Sequence, residues 1–502
     1  MRRTLQRLPF LLILQGIGAA AMFVPAIHAY QLRYLHTARS FFYSGLFFLI
    51  IFVLLAVAMG VRGRDGTIRG QLTGLVGALL ILPLMLAVPF REALVDARIL
   101  NSWFEMISCL TTTGATLYPG ADQLPPTLHL WRAMVGWMGG LLFWVSALAI
   151  LAPLNLGGFE VIATDVTAAG RTALRERRAG RPGERLRRYA GRVAPIYATL
   201  TLVLWIGLVV TGLGATEGAI MAMSTMSTSG ITPGPWTGLP VLSELLIFCF
   251  LFFAVSRLTF RNDFITRERG VLLRDPEMRL AITLLVLVPA FLFVRHFAGS
   301  IETEGQNDLP AAGAALWGSV FTTMSFLTTM GLESAAFESS RFWSGLQTPG
   351  LLLVGLSLIG GGVATTAGGV KLLRIYALYK HGAREMGRLV YPSSVGGSGM
   401  RGRRLRREGA FVAWIFFMLF ALTIAATMAA LSLAGLDFSA ATILAVAALS
   451  NTGPLAAVGG EDPILYSELG TGARLILGAV MVIGRLEALA IIALFNSDFW
   501  RG

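Results

Sequence analysis

Cysteine is nearly absent: Cys109 and Cys249 are the only two in 502 residues, and both sit in apolar stretches. That excludes a disulfide scaffold and a paired-cysteine metal site. Charge is scarce too. Asp, Glu, Lys and Arg make up 14% of the chain, where a soluble domain has roughly 25%. With 55% apolar residues and a mean hydropathy of +0.69, the chain cannot stay solvated as a disordered polymer. The same balance argues against a soluble globular enzyme. There is no Gly-rich Lys loop for phosphate, no His-Glu-x-x-His and no catalytic constellation, so no enzyme activity and no bound cofactor are expected. Histidine is confined to His28, His36, His129, His296 and His381, none of them in the middle of an apolar run, which leaves no basis for a histidine proton relay.

What is present is a series of long apolar runs. A hydrocarbon core needs about 20 apolar residues per helix, and the runs fall at 9–29, 41–62, 70–90, 129–153, 193–213, 239–260, 278–296, 346–380 (long and interrupted), 409–433 and 472–497. The first run follows Arg2, Arg3 and Arg7 and reaches Ala29, as a signal peptide would. A second run follows within a dozen residues with no exported domain behind it, so the first is expected to be retained. The net charge of +13 alone would suggest nucleic acid. It is gathered, however, in short linkers between the runs, and no nucleic-acid partner is expected.

Residues 171–192 carry Arg171, Arg175, Arg177, Arg178, Arg181, Arg185, Arg187, Arg188 and Arg192. Residues 257–279 and 380–407 are similarly basic, and the alternate linkers hold Glu302, Glu304, Asp308, Glu461, Asp462 and Glu468. By the positive-inside rule the basic linkers face the cytoplasm, where they orient the chain, contact anionic lipid or dock a cytosolic partner.

Beyond the second run a theme recurs four times. Each unit is a span, a half-apolar stretch, a Thr/Ser-Gly turn and another span. The turns are Thr111-Thr112-Thr113-Gly114, Ser227-Thr228-Ser229-Gly230, Thr328-Thr329-Met330-Gly331 and Ser450-Asn451-Thr452-Gly453. The stretches before them, 101–112, 217–228, 312–328 and 439–450, are too short or too polar to span and suit half-membrane pore helices. Irregular backbone at membrane depth survives only where protein buries it or it lines a wet cavity. A glycine in each turn admits dihedrals that other residues resist. Four such loops around one axis form a ring of carbonyls that can replace the hydration shell of a monovalent cation. The pore helices aim partially negative C-termini at that axis.

These turns, with Gly361-Gly362-Val363-Ala364-Thr365-Thr366-Ala367-Gly368-Gly369-Val370-Lys371 and Gly484-Arg485-Leu486-Glu487 followed by Phe499-Trp500-Arg501, resemble the membrane subunit of the Trk/Ktr/HKT superfamily of potassium transporters, closest to its TrkH branch. The resemblance covers essentially the whole chain. It implies an all-α polytopic membrane protein of four M1–P-loop–M2 repeats in pseudo-fourfold arrangement, with two extra N-terminal helices. It also implies a homodimer, and a cytosolic nucleotide-binding ring of the TrkA type as regulator. Thr228-Ser229-Gly230 lacks the second glycine common in the family's second loop, and Met330 and Leu332 stand where Thr and Phe are commoner. In plant relatives a serine at the first-loop glycine goes with sodium permeation; here that position is Gly114, which favours potassium.

Within the membrane, Gly360, Gly361, Gly362, Gly368 and Gly369 interrupt the third unit's inner run. Glycine costs roughly 1 kcal/mol against alanine in a helix, so a break acting as a gate under the filter is expected here, against the alternative of close packing through small residues. Lys371 follows and is expected to snorkel or to hold the loop through a carboxylate. Arg485 reads as a mid-span charge that repels a passing cation; the alternative is a structural partner for a carboxylate on another helix. Glu105 is expected to pin the first pore helix behind the filter, and Arg132 to be interfacial. Glu487 is the one mid-span carboxylate that offers itself for ion coupling.

The expected organisation is two N-terminal helices in 1–64, pore repeat 1 in 65–155, a basic linker in 156–192, repeat 2 in 193–262, repeat 3 with a broken inner helix in 263–390, a basic linker in 391–408 and repeat 4 in 409–502. The expected function is potassium uptake across the bacterial inner membrane. Its filter would be Thr112, Thr113, Gly114, Thr228, Ser229, Gly230, Thr329, Met330, Gly331, Asn451, Thr452 and Gly453. The gate would be 360–369 with Lys371 and Arg485. Alternatives are a sodium-permeable or cation-coupled relative and the ion-binding subunit of an ATP-driven potassium pump.

Overall fold

The computed structural model describes residues 9–60, 68–94, 97–154, 156, 158–159, 182–234, 239–256, 275–302, 309–337, 350–390 and 407–487. The arginines within 171–181, 257–274 and 401–406, the acids Glu304 and Asp308, Trp343 and the Phe499-Trp500-Arg501 end lie outside these residues. Among the described residues every regular element is helical, and seven helices are long and apolar enough to cross a membrane. The protein is an all-α, multi-pass membrane protein.

The chain opens with α1 (Phe10–Ala21) and α2 (Phe23–Gln31). The two meet at Met22, just ahead of Pro25, whose missing N–H falls in the first turn of α2 where it costs no bond. Then come α3 (Leu35–Gly60) and α4 (Ile68–Ala93). Helix α3 leaves Phe47, Ile50, Leu54 and Val57 exposed, an apolar surface that only lipid solvates well.

From α4 onward the helices form four units. The first is α4, the short α5 (Ile99–Leu110) and α6 (Pro126–Ser146). A π turn over Ala147–Leu151 and a 3-10 turn over Ala152–Leu154 extend α6, where Pro153 lacks the N–H to continue the ladder. The second unit is α7 (Pro182–Val210), α8 (Ala215–Ser227) and α9 (Val241–Leu251). The third is α10 (Pro276–Glu302), α11 (Leu309–Leu327), α12 (Gly350–Ile359) and α13 (Leu372–Val390). The fourth is α14 (Arg407–Leu433), α15 (Phe438–Leu449), the single turn α16 (Leu455–Val458) and α17 (Thr471–Leu486).

Each short helix packs against its own outer and inner helices, α5 between α4 and α6, and correspondingly for α8, α11 and α15. Each inner helix also packs on the next unit's short helix. Thus α6 meets α8, α9 meets α11, α12 meets α15, and α17 returns to α5. The fourth unit closes on the first, so the units form a ring.

Several boundaries differ from the sequence reading. Helix α7 starts at Pro182, inside the stretch read as linker. The 239–260 run gives a short helix that tightens into a 3-10 turn ending at Ala254. The 346–380 run is two helices separated at 360–371, and the second, α13, is amphipathic rather than apolar, with Tyr379, Met386 and Leu389 exposed. Helix α17 ends at Leu486, so Arg485 lies in its last turn rather than at mid-helix.

Candidate functional site

The four short helices end in the same way. After Leu110 the Thr113 amide donates to Ser108 O and the Thr112 amide to Cys109 O. The same pair of bonds recurs as Ser229→Ser224 with Thr228→Thr225, Met330→Ser325 with Thr329→Phe326, and Thr452→Ala447 with Asn451→Ala448. This is the Schellman termination, and it requires a left-handed residue just past the helix. Glycine usually fills that place; here it holds Thr112, Thr228, Thr329 and Asn451, at φ +55°, +50°, +60° and +55°. Such a conformation is uncommon for a β-branched residue. Thr111, Ser227 and Thr328 bond their hydroxyls back to Ile107 O, Met223 O and Met324 O, so the hydroxyls that recur in the sequence serve the helix ends.

The turns then meet edge to edge. A Cβ on Gly114 would overlap the Ser229 carbonyl oxygen, one on Gly230 the Met330 carbonyl oxygen, and one on Gly453 the Ala115 amide. A Cβ on Gly331 would lie 3.0 Å from Thr452 Cγ2. Loop one therefore abuts loop two, two abuts three, three abuts four, and four returns to one. Two hydrogen bonds close the last joint: Gly453 N donates to Thr113 O at 2.6 Å, and Asn451 Nδ2 to Thr113 Oγ1 at 3.0 Å. The Thr113 carbonyl keeps a second lone pair. Gly114, Gly230 and Gly331 have φ of +76°, +64° and +78°, whereas Gly453, which precedes Pro454, does not take the left-handed form. In the fourth loop glycine serves close approach and not an unusual dihedral. All twelve residues read as the filter are buried. Tyr466 Oη donates to Gly453 O at 3.0 Å. Burial pushes that phenol above its ordinary pKa, so it keeps its proton.

Directly against the ring lies the break between α12 and α13. Gly360, Ala364, Gly369 and Lys371 have positive φ, and residues 360–371 are buried throughout. The segment folds back on itself, with Val370 N donating to Leu358 O and Lys371 N to Ile359 O, both at 2.9 Å. Gly368 N donates to Thr329 Oγ1 at 2.8 Å and Thr366 Oγ1 to Met226 O at 3.3 Å. A Cβ on Gly368 would overlap Ser450 O. The segment thus touches the helix ends of units two, three and four. Val363 N donates to Glu277 Oε1 at 2.8 Å, and Gly362 N to Ala254 O at 3.0 Å.

Charged residues surround this segment. Arg485 Nη1 donates to Thr366 O at 2.7 Å, and its guanidinium lies 4.1 Å from the centre of the Phe143 ring. Among the described residues no carboxylate pairs with it. Lys371 Nζ is buried and donates to the Ala367 carbonyl, so among the described residues it neither snorkels nor pairs with a carboxylate but holds the loop through backbone. Glu487 pairs with Arg374 at 2.6 Å, and the Arg374 guanidinium stacks on Phe416 at 3.6 Å.

Glu105 does pin the first loop: Oε1 accepts Leu117 N at 2.5 Å and the Thr116 hydroxyl at 2.9 Å. Arg132 is buried at 2% exposure and lies 3.1 Å from Glu105, which corrects its interfacial assignment. Residues the sequence did not single out include Arg374, Glu244 and Glu277. Glu244 Oε2 accepts Trp317 Nε1 and Ser334 Oγ, each at 2.9 Å. Their sign in the sequence is only an acid or base beside an apolar run.

A family model described as TrkH, cation transport protein, matches residues 248–501. The Trk system potassium uptake protein TrkH of Halomonas elongata is 30% identical over 448 residues, covering 88% of this chain and 86% of that protein. The protein of the same name from Escherichia coli K12 is 29% identical over 419 residues, covering 81% and 80%. The crystal structure of the potassium transporter TrkH from Vibrio parahaemolyticus superposes with a TM-score of 0.80 over the full length of both chains at 24% identity, a likeness of fold.

Proposed function

We propose that this chain, which belongs to the TrkH family of cation transport proteins, carries potassium into the cell across the bacterial inner membrane. The observation that carries this reading is the closed ring of four like turns at Gly114, Gly230, Gly331 and Gly453. Such turns offer backbone oxygens in place of water, at the partially negative ends of four helices. The relatives' names as potassium uptake proteins support potassium as the ion.

The membrane potential drives entry, at about 2.3 kcal/mol per charge per 100 mV. That concentrates potassium several tens of fold without ATP. Segment 360–371 and Arg485 form the gate beneath the filter. The segment closes the path by its bonds to three helix ends, and the guanidinium repels the ion. The relatives are named as parts of a Trk system. In this reading the chain is a homodimer, and a cytosolic nucleotide-binding ring of the TrkA type moves the gate through α13.

Complementation tests the proposal. A bacterium stripped of its own potassium uptake systems should grow on low potassium when it expresses this chain with its regulator. Failure to grow with the protein present in the membrane would count against it.

A further inference from the structure

The four loops are alike at the helix end but not beyond the glycine. The residue nine before the glycine and the residue three after it hold corresponding places in the four units. In the first unit these are Glu105 and Leu117, joined at 2.5 Å. In the third they are Thr322 and Ser334, and Ser334 N donates to Thr322 Oγ1 at 3.3 Å. In the second they are Met221 and Pro233, a side chain with no oxygen and a residue with no N–H. In the fourth they are Leu444 and Ala456, and the Ala456 amide turns to Gly453 O at 3.1 Å.

A second tie follows the same pattern. Ser108 Oγ donates to Ala115 O at 2.7 Å in the first unit, and Leu332 N donates to Ser325 Oγ at 2.8 Å in the third. The second unit's Ser224 meets only the Ser229 hydroxyl, at 3.5 Å, and the fourth unit has Ala447. Loops one and three, which face each other across the ring, are therefore strapped to their own pore helices. Beyond the shared helix-end bonds, loops two and four carry neither of these two ties among the described residues.

The first strap is the charged one. Glu105 is fully buried, and its second oxygen lies 3.1 Å from Arg132 Nε, off the hydrogen-bond line, so the contact is ionic. Arg132 Nη1 lies 3.4 Å from His129 Nδ1. Bonds to an ionised acceptor are roughly twice as strong as neutral ones, and burial spares this one from solvent screening.

We propose that the Glu105–Arg132 pair sets the potassium preference of the filter by fixing the outer leg of loop one, with Thr322 as its weaker counterpart on the opposite loop. This rests on the reading of the four loops as a potassium filter. A ring free to draw in around a smaller ion coordinates sodium as well as potassium. A ring strapped on one diagonal cannot contract that far. Glu105 and Arg132 are positioning residues that act through Leu117 and Thr116.

The test is rubidium-tracer uptake by the full chain in proteoliposomes, with potassium or sodium as competitor. The double variant E105Q/R132M removes both charges and leaves no buried ion unpaired. It should keep rubidium uptake and raise the potency of sodium as a competitor several-fold; T322V should do the same by less. A purely structural role would lower yield and melting temperature and leave the competition ratio alone, and that result would overturn the proposal. If the double variant does not accumulate, T322V decides: an unchanged ratio overturns the proposal, and a shifted ratio upholds it. G114S separates the two readings. If it shifts the ratio and the strap variants do not, the strap is wrong and the filter stands. If none shifts it, the filter reading fails as well.

Discussion

Arg485 Nη1 donates to the Thr366 carbonyl oxygen at 2.7 Å, so a guanidinium in the last turn of α17 holds the segment that breaks the third inner helix. The bond joins unit four to unit three. The remaining guanidinium nitrogens, Nε and Nη2, are buried with no hydrogen-bond partner among the described residues. A buried guanidinium left partly unsatisfied is costly; in the proposed function its charge repels the passing ion.

Replacing Arg485 by alanine removes both the charge and the anchor on Thr366. Removing about 1.4 kcal/mol of repulsion raises flux about tenfold. R485A should therefore raise rubidium uptake by roughly that order in a folded protein. Unchanged or lower uptake would contradict the role given to Arg485.

The acid at the start of α10 also holds this segment. Glu277 Oε1 accepts the Val363 amide at 2.8 Å. Glu277→Ala strands a buried N–H, which costs about 1–3 kcal/mol, and it loosens the 360–371 segment, the gate of the proposed function. The expected outcome is higher basal uptake without regulator together with a lower melting temperature. A lower melting temperature with unchanged basal uptake would confine Glu277 to stability.

Arg374 and Glu487 form a buried ion pair at 2.6 Å, capped by Phe416. Breaking such a pair from one side costs about 3–5 kcal/mol, while replacing both partners with apolar groups is often tolerated. Arg374→Met and Glu487→Gln alone should each reduce the folded protein recovered from membranes, and the double variant should recover much of it. Thermal melting in detergent measures this coupling. Additive losses would show that the two residues act independently.

The glycines of the four turns differ in how tightly the ring grips them. A Cβ on Gly114 would overlap the Ser229 carbonyl oxygen, whereas one on Gly331 would lie 3.0 Å from the Thr452 methyl group. A methyl group yields more easily than backbone. Both residues have left-handed φ, so both substitutions strain the turn. G331S should weaken potassium preference in a folded protein, and G114A should do so more severely. Equal and unchanged selectivity in both would contradict the ring.

The fourfold plan was legible because its signals are local. Run lengths mark the spans, and a Thr/Ser-Gly turn marks each loop. The glycines of 360–369 mark the break, since no helix carries that many cheaply. The ties between distant parts of the chain were not legible. Glu487 and Arg374 stand 113 residues apart, and nothing near either names the other. Arg132 reads as interfacial because it lies near the start of its helix, and only the packing of α6 on α5 reveals Glu105 as its partner. The left-handed threonines run against residue preference and are imposed by the way the helix ends close. Gly453 shows the converse: the motif is kept, but the space it leaves matters and its dihedral freedom is unused.

The most direct test of the central claim is rubidium-tracer uptake into proteoliposomes holding the purified chain and a candidate cytosolic regulator, with the membrane potential clamped. The account predicts uptake that potassium blocks and sodium does not, driven by an inside-negative potential with no nucleotide hydrolysis. Uptake blocked equally by sodium, or none at any potential with the regulator present, would contradict the ring as a potassium filter.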